Sequence, residues 1–135
     1  MEIILDADVI ISGEKNIFDL RGWLESRAED RFAVAAITVA ELWHGVERAS
    51  ANRRISRQKY LEAVVAVLPI IAYTEETAYF HARVWSNLEA SGKIIGAYDL
   101  IVAATALERG CVLATFNRRH FSQVNGLNII EPKQT

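Results

Sequence analysis

The stretch Glu2-Ile3-Ile4-Leu5-Asp6-Ala7-Asp8-Val9-Ile10-Ile11 decides the fold. Ile3, Ile4 and Leu5 run together without polar alternation, as in a strand covered on both faces of a parallel sheet. Two acids, Asp6 and Asp8, end the run, and both have apolar flanks. Desolvating a carboxylate is costly, so carboxylates are rarely buried without a partner. In an open parallel sheet, ligands bind beyond the carboxyl ends of the strands, which is where these two acids fall.

Four more short apolar runs extend the pattern: Phe32–Ala36, Pro69–Ala72, Val112–Thr115 and Leu127–Ile130. Helical spacing fills the intervals. Ile17–Arg27 carries Phe18, Leu20, Trp23 and Leu24, and Val39–Arg48 follows Thr38 as a natural N-cap. Asn52–Leu68 starts basic and ends apolar. Glu75–Ser91 has two acids in its first turn, which suits the helix dipole. Leu100–Arg109 stops at Gly110, and a short turn of helix covers Arg118–Val124. Strands alternating with helices predict an α/β fold around a mostly parallel sheet.

At 135 residues the chain is read as one domain, 1–135, with a real core. It is 51% hydrophobic and 24% charged, which excludes a disordered chain. A formal net charge of −2 argues against a non-specific nucleic-acid coat protein, though not against a local basic face. The single cysteine, Cys111, allows no internal disulfide and reads as a core thiol. No run reaches the ~18 apolar residues of a membrane span, and no signal peptide is evident, so a cytoplasmic protein without membrane contact is expected.

Two further acids join the first pair. Glu41 lies within Ile37-Thr38-Val39-Ala40-Glu41-Leu42-Trp43, and Asp99 within Ala97-Tyr98-Asp99-Leu100-Ile101-Val102. One expected position follows a strand and two lie at helix starts, so all can face one cleft. Each has a structural alternative. Asp6 or Asp8 can cap a helix, Thr38 and Glu41 have capping-box spacing, and Asp99 can be an N-cap. Taken together, the acids predict a site for a hard divalent cation, Mg²⁺ or Mn²⁺. Such an ion acidifies water and stabilises charge growing on a phosphate, so the expected chemistry is phosphodiester hydrolysis. Asp6 and Asp99 are the first expected ligands. Glu41 either ligates or orients the attacking water, and Asp8 lies in support or faces away.

In this order the segments resemble the PIN-domain ribonucleases, specifically the VapC toxins of toxin–antitoxin pairs. The resemblance is carried by Ile4–Ile11, Ile37–Val46, Tyr98–Ala106 and Leu113-Ala114-Thr115-Phe116-Asn117-Arg118-Arg119-His120-Phe121. It implies a three-layer α/β/α domain with four to five central strands, and an Mg²⁺-dependent endoribonuclease in which Mn²⁺ can substitute. It also implies a homodimer and a cognate VapB-type antitoxin. It places catalytic acids on Asp6, Glu41 and Asp99. There are two departures. The family commonly has Asn, Ser or Thr where this chain has Asp8. It often has a fourth acid where Asn117 stands, and the neutral amide there weakens the case for a second metal; Asn117 remains a catalytic candidate, since its amide can accept a hydrogen bond from metal-bound water. Thr115 either adds a hydroxyl to the site or simply ends a strand.

Arg118, Arg119 and His120 are candidates for gripping the substrate backbone. Arg48, Arg53, Arg54, Arg57 and Lys59 form a basic run that either guides RNA or is a solvated helix face. His44 and His81 read as packing or surface residues, and Trp23, Trp43 and Trp85 as core or interface groups. Two rival functions remain open. Ile3–Val9 also resembles the start of haloacid-dehalogenase-like phosphatases, with Asp6 as nucleophile. A PIN module can also bind RNA or an antitoxin without cutting.

Overall fold

Strand β1 (Glu2–Leu5) lies at the centre of a five-stranded sheet in the computed structural model, which describes residues 1–133. The other strands are β2 (Arg31–Ala35), β3 (Ile70–Ile71), β4 (Val112–Ala114) and β5 (Ile129–Ile130). Their order is β3-β2-β1-β4-β5, and every pairing is parallel. The chain therefore builds outward from β1 in one direction and then returns to build in the other. The switch falls between β1 and β4, whose register pairs Leu5 with Ala114. Crevices of ligand-binding α/β sheets form at such a point.

Both sheet faces are covered. Ile3 and Leu5 pack into a cluster with Val9, Ile10, Trp23, Leu42 and Leu61, while Ile4 joins Val84, Leu100, Val102 and Phe121 on the other side. This double burial explains why β1 reads as continuously apolar. The covering helices are α1 (Ala7–Glu14), α2 (Leu20–Ser26), α3 (Ala36–Arg48) and α4 (Ala51–Ala66). They are followed by α5 (Glu75–Ala90), α6 (Ala97–Arg109) and the short α7 (Arg118–Phe121). The result is the expected three-layer α/β/α arrangement. No described helix is long and apolar enough to cross a bilayer.

Several boundaries differ from expectation for local reasons. Helix α1 lies outside the expected helix ranges and was signalled only by the capping alternative for Asp6 and Asp8; Asp6 starts it as N-cap. Helix α3 begins at Ala36, three residues before the expected start, and takes over the last residue expected of β2. Helix α6 begins at Ala97, also three residues early. It ends at Gly110, whose φ of 64° is a left-handed cap that glycine adopts without strain. Gly13 lets helices approach closely: a Cβ there would lie 2.6 Å from the Tyr60 hydroxyl and 2.8 Å from Leu20 Cβ. Cys111 is buried as expected, and burial pushes its thiol pKa up to about 11.

Candidate active site

Asp6 follows β1 directly. As the N-cap of α1, its Oδ1 accepts from the Ala7 N–H at 2.9 Å. Its Oδ2 accepts from the Thr115 hydroxyl at 2.8 Å. The capping alternative is therefore real, yet it does not account for the residue, because a cap needs only one carboxylate oxygen and Asp6 is only 5% exposed. Burial, then the charges of Asp8 and Asp99, raise its pKa to about 7 despite the hydrogen bonds that oppose the shift.

Asp8 lies in the first turn of α1 and faces the same crevice as Asp6. Its Oδ2 accepts from the Phe116 N–H at 3.1 Å and lies 3.4 Å from the Thr115 hydroxyl. Asp8 Oδ1 is buried without a hydrogen-bond partner. Thr115 thus serves as more than a strand-end residue. Its hydroxyl links two acids after β1 to the end of β4, and it accepts from the Asn117 N–H at 2.9 Å.

Glu41 is no capping-box partner. Because α3 starts at Ala36, Thr38 lies inside the helix, fully buried and with its hydroxyl unbonded; the N-cap position is Ala35, which offers no side-chain cap. Glu41 consequently falls in the second turn rather than the first. Its Oε1 is buried without a partner. Burial first, then Asp99 and Asp8, raise its pKa to about 7.

Asp99 is likewise not an N-cap. Gly96 holds that place, and Asp99 sits in the first turn of α6. Its Oδ2 lies 3.1 Å from His120 Nε2, and the Gly96 N–H points at the same imidazole nitrogen from 3.5 Å. Burial raises the Asp99 pKa, and His120 opposes the shift. The imidazole expected to grip substrate is thus engaged with a carboxylate of the cluster.

Four acids from β1–α1, α3 and α6 therefore feel one another's charge at the sheet's switch point. Repulsion and burial oppose their ionisation, and two buried oxygens, Asp8 Oδ1 and Glu41 Oε1, have no donor. A hard divalent cation meets both needs, so the donor set fits one. Among the described residues, no three His, Cys, Asp or Glu side chains are gathered into a ready-made cage.

Asn117, Arg118 and Arg119 are exposed at the rim beyond β4, and no hydrogen bond joins the Asn117 side chain to the acids among the described residues. The basic run divides. Arg57 is held by both oxygens of Glu14, at 2.9 and 3.2 Å, and donates to the Gly45 carbonyl at 3.1 Å. Lys15, Arg48 and Arg53 line a cleft of about 730 Å³ that none of the four acids borders. Trp23 is buried, while Trp85 is 53% exposed and stacks on His81 at 5.7 Å.

Residues 3–127 match the model of the PIN domain family. The chain is 33% identical over 138 residues to the VapC ribonuclease Y4jK of Sinorhizobium fredii, covering 96% of each. It is 29% identical over 131 residues to ribonuclease VapC1 of Rickettsia felis, again covering 96% of each. Among solved structures it resembles the DNA-bound VapBC of Salmonella typhimurium at 26% identity and a TM-score of 0.89, over 97% of this chain and 98% of that one. It also resembles VapBC-5 of Mycobacterium tuberculosis, a member of the VapBC family of toxin-antitoxin systems, at 26% identity and a TM-score of 0.76, over 96% and 98%.

Proposed function

The chain belongs to the PIN-domain family, and on that footing we propose that residues 1–135 act as one nuclease unit whose catalytic centre is built on Asp6, Glu41 and Asp99. The protein is a metal-dependent endoribonuclease, the toxin of a VapBC-type toxin–antitoxin pair, and its partner is a VapB-type antitoxin. The observation that carries the assignment of the site is the crowding of four acids at the switch point, with two buried carboxylate oxygens lacking donors.

Asp6, Asp99 and Glu41 would hold the cation, with Mg²⁺ as the expected ion and Mn²⁺ as a substitute. When bound, the ion supplies Lewis acidity toward a phosphodiester and a more acidic water. The chain's own groups do the rest. Thr115 fixes the Asp6 carboxylate through Oδ2, and the Ala7 N–H fixes it through Oδ1. His120 steadies Asp99. Asp8 adds negative charge where the family commonly has a neutral side chain. Asn117 lies at the rim, where its amide can accept from water, and the exposed Arg118 and Arg119 can meet the RNA backbone. A homodimer working in the cytoplasm completes the reading.

The phosphatase alternative gives way to the family assignment.

Asp6→Asn and Asp99→Asn test the reading. Each should abolish Mg²⁺- or Mn²⁺-dependent RNA cleavage while circular dichroism shows a retained fold. Wild-type protein soaked with Mn²⁺ should show anomalous density beside Asp6, Glu41 and Asp99. Unchanged cleavage by both variants would mean a contaminating nuclease or a different site. RNA binding without cleavage, in either metal, would leave a binding module.

A further inference from the structure

Helix α3 carries Ile37, Ala40, Glu41 and His44, spaced i, i+3, i+4 and i+7, so they form one stripe. Ile37 packs against the core, while Ala40 and His44 are exposed. With Tyr98 from the first turn of α6 the stripe lines a cavity of about 270 Å³. The cavity joins the acidic site through two residues: Glu41 lines it, and Tyr98 precedes Asp99. Tyr98 is 57% exposed, so its ring is open to a ligand.

The lining has mixed chemistry. Ile37 and Ala40 supply an apolar wall, and Tyr98 an aromatic face. His44, exposed on the same stripe, and Glu41 supply a donor and an acceptor at the edges. A phosphate would be repelled by Glu41 and would find no cation among these five residues. A flat heterocycle with polar edges and a π-face suits all five.

The geometry points to this cavity as the seat of an unpaired nucleobase of the RNA, beside the phosphodiester that is cut, with Tyr98 as its stacking surface. The inference rests on the nuclease reading and deepens it. It makes Tyr98 and His44 determinants of how the nucleotide beside the cut is held. Because stacking tolerates any base, Tyr98 governs affinity, and the polar edge of His44 governs preference.

The test uses the full chain and a mixed-sequence single-stranded RNA whose cut site has first been mapped. Tyr98→Ala should raise KM about tenfold, the order of one base–aromatic stack, and leave kcat nearly unchanged. Tyr98→Trp should restore KM. An abasic ribose beside the cut should raise the wild-type KM to the same extent and cost Tyr98→Ala nothing further. An unchanged KM in Tyr98→Ala, or an equal abasic penalty in both proteins, overturns the inference. Should wild-type protein cut nothing in Mg²⁺ or Mn²⁺, the nuclease reading fails. The cavity is then judged by 2-aminopurine placed in the same RNA: Tyr98-dependent quenching supports a base seat, and its absence overturns it. Loss of antitoxin binding in Tyr98→Ala, with KM for RNA intact, assigns the cavity to the protein partner and also overturns the inference.

Discussion

The Thr115 hydroxyl donates to Asp6 Oδ2 at 2.8 Å, joining residues 109 positions apart. The parallel register of β1 and β4 sets Leu5 beside Ala114, so the next residue of each strand meets its counterpart. The bond stabilises the ionised carboxylate against burial and against the charge of Asp8.

Thr115→Val keeps the shape and removes the donor. The Asp6 pKa should rise further, moving the acid limb of the kcat profile to higher pH and lowering kcat near neutrality about tenfold. Thr115→Ser should stay close to wild type. A valine variant with an unaltered pH profile removes Thr115 from the site.

Stability of the metal-free protein should fall as pH rises. Folding raises the Asp6 pKa from 3.8 to about 7 and that of Glu41 from 4.5 to about 7. Between those limits the folded chain holds protons that the unfolded chain has released. Unfolding therefore becomes easier with each step in pH until both groups ionise in the fold. In EDTA, the thermal midpoint should drop by roughly 10 °C from about pH 5 to 7.5. Mn²⁺ added at the upper pH should reverse the drop. A midpoint that climbs through this window contradicts the shifts.

Neutralising one member should relieve the repulsion. At neutral pH in EDTA, Glu41→Gln and Asp8→Asn should each raise the midpoint by about 2–4 °C. The gain should vanish or reverse with Mn²⁺ for Glu41→Gln, which loses a cation ligand. A clear fall for both variants in EDTA would show that these charges support the metal-free fold.

Arg57 acts as a clamp. Its guanidinium spans Glu14 at the end of α1 and the Gly45 carbonyl of α3. Arg57→Ala leaves the 14%-exposed Glu14 carboxylate unpaired and should cost about 2–3 kcal/mol in urea unfolding. Arg57→Lys should recover less than half, since an ammonium cannot fork onto both oxygens. Full recovery by lysine would reduce the pair to simple charge.

Much of the fold was legible because its signals are local. Apolar triplets without alternation mark strands covered twice, and Gly110 marks the end of α6. The extent of α1, signalled only by a possible cap at Asp6 or Asp8, and the early start of α3 were not legible in that way. Val9-Ile10-Ile11 favours a strand by propensity, and only packing against Val46, Leu61 and Trp23 holds it helical. Thr38 looks like a cap until the sheet places Ala36 in the helix; once it does, Glu41 is left without a capping role.

By itself, then, the sequence determined which residue types end which elements, and hence that Asp6, Asp8, Glu41 and Asp99 interrupt apolar segments. Tertiary structure alone decided that β4 returns beside β1, that Thr115 reaches Asp6, that His120 is held by Asp99, and that Tyr98 lines one cavity with residues of α3. The reason is physical: periodicity and capping act over a few residues, whereas strand order and register follow from contacts across the whole chain, and the site exists only where those distant contacts close.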